Sequence, residues 1–291
     1  MSDRTTRGHR IFQGVNGAIL TLVVAVTLYP FVNIIARSFS GERQIRAGEV
    51  TLWPKGFNLT TYKIVFEDGV FWRSYGNTIL YTVVSTVVAM VLTTIYAYVL
   101  SKKELRGRGL LIGIAVFTMF FTGGLIPNYV LITGLGMKNS IWAIALPNAI
   151  SVFNLLVMKA FFENLPSDLE EAAQIDGLST YGILLRIVLP LSKAVIATMV
   201  LFYSVSFWNS WFSAFLYMDR TELMPVTVYL RNLIAGATTG GNAGAATDQL
   251  SQAAANIQSV TIVLTALPIL ALYPFVQRYF VSGVMLGAVK G

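Results

Sequence analysis

Six stretches of this chain are long, apolar and free of Asp, Glu, Lys, Arg and His. They run Val15–Ala36, Tyr75–Leu100, Leu110–Thr133, Ser140–Met158, Ala194–Met218 and Ile257–Val276. A bilayer core takes roughly 20 apolar residues as a helix. In hydrocarbon every backbone N–H and C=O must be paired, which a helix does within its own segment. The pattern therefore predicts an all-α membrane protein with six transmembrane helices. Only 12% of the 291 residues are charged, about half the share usual in soluble domains. The first span has a basic lead-in (Arg4, Arg7, Arg10) like a secretory signal. Its apolar run is too long for one and Ala36-Arg37-Ser38 is a poor cleavage site, so it reads as a retained helix.

Lys and Arg near the span ends set orientation. The N-terminal tail is basic, and the short loop Ser101–Gly109 holds Lys102, Lys103, Arg106 and Arg108 against Glu104. Both belong on the cytoplasmic side. The loop Arg37–Arg73 mixes Arg37, Arg43, Arg46 and Lys55 with Glu42, Glu49, Glu67 and Asp68, and falls outside. Residues 1–14 then form a cytoplasmic tail, 15–281 the membrane domain and 282–291 a second cytoplasmic tail. The net charge of +7 follows this topology. The cations flank spans instead of forming a stripe, so nucleic acid is not an expected partner.

Between the fourth and fifth spans lies a loop of about residues 162–192 with its own helical pattern. Ser167 and Glu170 have capping-box spacing. Leu169, Ala172, Ala173 and Ile175 recur at helical intervals. Gly177 suits a C-cap, because only glycine enters left-handed backbone without a Cβ penalty. Ser179 is placed to cap a second helix that Pro190 ends. The topology puts this helix-turn-helix inside the cell. There its acidic, small-residue first helix (Glu170, Glu171, Ala172, Ala173, Asp176) suits a groove on another protein.

Chemistry inside the spans is sparse. They carry the amides Asn77, Asn128, Asn148, Asn154 and Asn209. Asn209 sits beside Ser206 and Trp208 in an aromatic–amide–hydroxyl cluster, the chemistry that meets a sugar's apolar faces and polar edge. The bland alternative for each is an interhelical hydrogen bond. Gly123-Gly124 and Pro127, Pro147, and Pro268 and Pro274 break the third, fourth and sixth spans, as a moving path requires. Gly109 with Gly113, and Gly283 with Gly287, have close-packing spacing. The Gly/Ala/Thr-rich run Ala235–Thr247 reads as a mobile loop, with contact to a soluble partner outside the membrane as its functional reading.

Several function classes drop out. There is no cysteine, and His9 is the only histidine. No catalytic dyad or metal set sits in the spans, so neither an enzyme, a cofactor nor a metal is expected. An ion-coupled secondary transporter is the main alternative, but those usually need intramembrane carboxylates. No phosphate-cradling G-x-x-x-x-G-K-[ST] is present, so energy from ATP must come from another chain.

Glu171-Ala172-Ala173, Gly177, Ile187, Leu189 and Pro190 keep the spacing of the EAA loop of bacterial ABC importer permeases, which this segment resembles. Asn77-Thr78, Phe121-Thr122-Gly123-Gly124-Leu125-Ile126-Pro127, Trp208-Asn209 and the C-terminal Gly283–Gly291 extend the resemblance along nearly the whole chain. The FTGGLIP run resembles a subgroup linked to oligo- and polysaccharide uptake, of which the second permease of alginate importers is one member. The resemblance implies a six-helix, MetI-like permease architecture with a cytoplasmic coupling helix in the bacterial inner membrane. The function it implies is ATP-driven import of a sugar, oligosaccharide or polysaccharide by alternating access. The implied partners are a second, homologous permease forming a heterodimer, two ABC ATPase subunits and a soluble periplasmic or lipid-anchored sugar-binding protein. Glu170, Glu171, Ala172, Ala173, Asp176, Gly177, Leu189 and Pro190 become the expected ATPase-coupling residues. Ser206, Trp208, Asn209, Asn77, Asn128 and Asn154 are the expected pathway residues.

Overall fold

The computed structural model describes residues 7–239 and 256–271, which fall into two units. The first comprises residues 1–69 and 230–266. It contains α1 (Arg7–Ser38), α2 (Glu42–Arg46) and α3 (Thr60–Glu67). The first helix begins eight residues before the expected span and continues past Pro30 to Ser38. Its end is tied to the segment that follows. Asn33 donates to the Val50 and Thr51 carbonyls at 3.1 and 2.8 Å, and Ala36 packs with Ile45 and Val50.

The second unit comprises residues 70–229 and 267–291. Its longest helix, α4 (Gly69–Ser101), is the second span. A stripe of small residues at helical spacing is buried along it: Ser74, Thr78, Thr82, Ser85, Ala89, Thr93 and Ala97. Such residues let neighbouring helices approach closely.

The third, fourth and fifth spans are broken helices. The third is α5 (Arg108–Phe120) and α6 (Leu125–Gly134), bent by 112°. Gly124 makes the break at φ +84°, ψ 173°, a conformation essentially confined to glycine. The fourth is α7 (Trp142–Ala145) and α8 (Val152–Glu163), separated around Pro147 and restarted by the cap that Ser151 makes to the Asn154 N–H. The fifth splits into α12 (Lys193–Trp208) and α13 (Phe212–Tyr217), although no proline or glycine lies between them. Between these come α9 (Ser167–Ile175), α10 (Thr180–Ile183) and α11 (Leu189–Leu191). The described chain ends with α14 (Val226–Thr239) and α15 (Asn256–Ala271).

Among the described residues, two helices can each cross a membrane by length and composition, or four segments if each bent pair is one span. The sixth span is helical from Asn256 through Pro268 to Ala271, so that proline does not break it where a break is expected, and Pro274 lies outside the described residues. Gly109 and Gly113 have nothing near their Cβ positions, so they form no packing site among the described residues. Gly283 and Gly287 lie outside the described residues. The run Ala235–Thr247 starts inside α14, where a mobile loop was expected, and leaves the described residues after Thr239.

Candidate functional site

The loop around Gly177 is built as a helix-turn-helix. Gly177 takes φ +79°. The Leu178 N–H bonds back to the Ala173 carbonyl and the Gly177 N–H to that of Gln174, both at 3.0 Å. This is the full Schellman pattern. Ser179 accepts from the Gly182 N–H at 3.3 Å and caps the second helix. The expected capping box is absent. Pro166 occupies the N-cap position and Ser167 is already helical, so its hydroxyl meets Asp168 instead.

Pro190 does not stop the second helix where it stands. Residues Leu184–Val188 widen into a π-helical turn, in which the Leu189 N–H reaches the Leu184 carbonyl. A proline in a regular α-helix clashes with the carbonyl four residues earlier; the widened turn precedes Pro190, and the helix ends at Leu191. Beyond Ser192 the chain turns by 86° into α12.

One face of this loop is held and the other is bare. Ala173 is buried in the largest core cluster of this unit, with Ala97, Tyr98, Phe162, Ile183 and Val188. Leu189 packs at the edge of that cluster. Glu170 pairs with Lys102 and accepts from the Tyr98 hydroxyl at 3.4 Å. Glu163 pairs with Arg108 and, at 2.8 Å, with Lys159. The basic loop Ser101–Gly109 thus clamps Glu163 at the end of α8 and Glu170 in α9. Glu171, Ala172, Asp176, Gly177 and Pro190 are exposed, as are Ile175 at 87% and Tyr181 at 76%. A cleft of about 600 Å³ opens beside them, lined by Lys102, Lys103, Glu104, Glu163, Glu170 and Glu171 among others.

The six expected pathway residues separate. Ser206 and Asn154 come together in a cleft of about 420 Å³ with Asn148, Ser151, Phe202 and Tyr203. Asn154 is 5% exposed. Asn128 lines an adjoining, more apolar cleft that shares Pro147 and Asn148. Asn77 donates to the Glu222 and Met224 carbonyls at 2.7 and 3.2 Å, bracing the segment before α14. Trp208 is buried, its ring edge-on to Tyr75 at 5.8 Å. Asn209 caps α12 and is exposed, with Nδ2 donating to the Val205 carbonyl at 2.8 Å. The partner its amide needs is supplied by its own helix.

Sequence reasoning passed over two groups. The Tyr203 hydroxyl bonds to Thr93 at 2.6 Å and accepts from the Ser151 N–H at 3.0 Å, joining three helical segments at the cleft. Asn33 was hidden in the first apolar run. Its position one turn before the helix end was the available signal. Away from the clefts, Lys138 and Asp219 pair at 2.9 Å. Each stabilises the other's charged form, so hydrogen bonding to the ammonium lowers the Asp219 pKa and raises that of Lys138.

Comparison with known proteins gives a consistent picture. Residues 69–286 match the family described as "Binding-protein-dependent transport system inner membrane component". Protein LplC of Bacillus subtilis (strain 168) is 42% identical over 286 residues, covering 98% of this chain and 97% of that one. The polygalacturonan/rhamnogalacturonan transport system permease protein YtcP of the same organism is 37% identical, covering 97% and 99%. Among solved structures, a bacterial ABC transporter involved in the import of the acidic polysaccharide alginate superimposes with a TM-score of 0.86 at 32% identity, covering 96% of this chain and all of that one.

Proposed function

This chain belongs to the family of binding-protein-dependent transport system inner membrane components, and from that premise we propose how it works and with what. It is a carbohydrate-uptake ABC permease, a transport subunit and not an enzyme. The substrate class we put first is an acidic oligo- or polysaccharide. The alginate importer carries such a substrate and YtcP is named for polygalacturonan and rhamnogalacturonan. The working assembly pairs this chain with a second, homologous permease, two ATPase subunits inside and a soluble sugar-binding protein outside. Both termini face the cytoplasm of an inner membrane.

The observation that carries the reading is the α9–α10 turn. Its inner face is fixed by Ala173 and Glu170, while Glu171, Asp176 and Gly177 stand free on the outer face. That arrangement suits a rigid docking element whose contacts lie on another chain. The helix α12 begins after the π-helical turn, α11 and Ser192 and ends at the cleft that holds Ser206. A shift of the docked loop is therefore felt first along the cleft wall. ATP binding in the partner subunits closes them, moves the loop and opens the permease pair outward; hydrolysis resets it.

Gly177→Asp tests the role. It forces a side chain into left-handed backbone and adds a charge to the docking face. Membrane insertion stays at the wild-type level, transport falls to background and the ATPase no longer co-purifies. Wild-type transport with the ATPase bound would remove the docking role. Uptake that followed a proton or sodium gradient and ignored ATP would favour the ion-coupled alternative.

A further inference from the structure

The segment between α2 and α3 has an apolar tip that none of the described residues of its unit covers. Trp53 is 79% exposed and Phe57 68% exposed, with Leu52 also exposed beside them. Large aromatic side chains in so short a stretch would be costly to leave in water. Yet the loop that presents them is firmly built. The Lys55 N–H donates to the Ser40 hydroxyl at 3.0 Å, and its carbonyl accepts from the Gly41 N–H at 2.9 Å. The Asn58 N–H bonds to the Phe39 carbonyl at 3.0 Å, and Phe57 stacks on Phe39 with centroids 6.0 Å apart. Gly56 turns the chain at φ +64°, where a Cβ would come within 3.0 Å of the Gln44 amide.

The height of the tip is fixed against α1. Asn33 holds the Val50 and Thr51 carbonyls, and Asn33 lies five residues before the end of the helix at Ser38. At 1.5 Å per residue the segment is pinned about 7 Å inside that end. The α1 side chains below it, Tyr29, Phe31 and Val32 among them, are themselves exposed, as a lipid-facing flank requires. With α1 as a span that leaves the hydrocarbon near Ser38, residues 52–57, which follow the pinned Val50 and Thr51, come level with the boundary between headgroups and acyl chains. Trp settles at that depth, and apolar side chains bury about 5–10 Å there.

We propose that Leu52, Trp53 and Phe57 form a foot that inserts into the phospholipid interface on the α2–α3 side of the membrane, with Lys55 at the level of the phosphates. The foot fixes the height of α1 in the bilayer. The proposal rests on α1 being a membrane span, and the test separates the two claims. The chain has no native cysteine, so Trp53→Cys, Val24→Cys and Glu104→Cys each carry a single spin label in the assembled transporter, reconstituted in phosphatidylglycerol–phosphatidylethanolamine bilayers. Collision with oxygen reports lipid, and collision with a water-soluble nickel chelate reports water. The expected result is oxygen-dominated relaxation at 53, intermediate between lipid-like 24 and water-like 104. Water-like relaxation at 53 with lipid-like relaxation at 24 would overturn the foot and leave the span. Water-like relaxation at both would overturn the span reading and the foot with it. Water-like relaxation at 53 that is relieved by substrate-loaded binding protein would make the tip a receptor contact instead, and overturn the foot.

Discussion

Helices α1 and α4 are nearly matched in length and apolarity, yet they are made for different neighbours. None of the most apolar stretch of α1 is buried within the chain, against 39% of that of α4. The hydroxyls make the difference. Thr21 and Thr27 in α1 spend their hydrogen bonds on their own helix, on the Gly17 and Val23 carbonyls. In α4 the Thr78 hydroxyl accepts from the Val226 N–H at 2.8 Å, and Thr93 meets Tyr203 at 2.6 Å. Hydropathy measures solubility in lipid, and both helices have that. A hydroxyl or alanine repeated at helical spacing marks the face that meets protein, and only α4 carries the full stripe.

The comparison breaks most visibly under overpacking. Ala97 is fully buried in the main core of its unit. Ala97→Leu is expected to destabilise the purified chain by about 1–3 kcal/mol, read as a lowered thermal midpoint in detergent. Ala25→Leu in α1 is expected to leave that midpoint in place, and an equal loss would mean that α1 packs as α4 does. A smaller effect follows from Tyr203→Phe, which removes the bonds to Thr93 and Ser151. The expected cost is about 1–2 kcal/mol, with substrate uptake reduced more than abundance. Thr27→Val, which cuts only a bond inside α1, is expected to stay within about 0.5 kcal/mol.

The smallest effect belongs to the exposed Lys138–Asp219 pair, which serves as a control outside both helices. Because the Asp219 pKa is depressed, its contribution is present above the ordinary value of 3.8 and fades as pH falls through the lower folded value. The Lys138 pKa is raised, so its contribution is present below 10.5 and fades as pH rises through the higher folded value. Asp219→Asn is therefore expected to lower the midpoint slightly at pH 7, where the pair is charged, and to converge with wild type in the acid limb. A loss as large as that of Ala97→Leu would show the pair to be structural.

Where the sequence was legible, one residue type had one physical meaning. Gly177 and Gly124 both adopt positive φ, and both were readable because no other residue does so freely. Hydrocarbon likewise leaves few choices, so α1 and α4 could be drawn by inspection. The capping box failed because Ser167 at the right spacing was one residue too deep once Pro166 took the cap. The break between α12 and α13 carries no Gly or Pro. Whether Asn209 stood in a cleft or at a helix end therefore depended on packing that no local pattern encodes. Tyr203 was overlooked for the same reason, since its two partners lie 110 and 52 positions away.

The right angle at Ser192 has a mechanical consequence. Thr180–Leu191 and Lys193–Trp208 are two stiff arms meeting at 86°, about 18 and 24 Å long at 1.5 Å per residue. Such a pair is a bell crank. Turning it about the corner carries each tip sideways to its own arm, so a thrust at one end emerges at the other in a direction rotated by nearly a quarter turn. The ratio of the arms multiplies the travel by about 1.3. A stroke of a few ångströms delivered to the short arm would thus sweep the far end of the long arm, which carries Phe202, Tyr203 and Ser206, by slightly more than was put in.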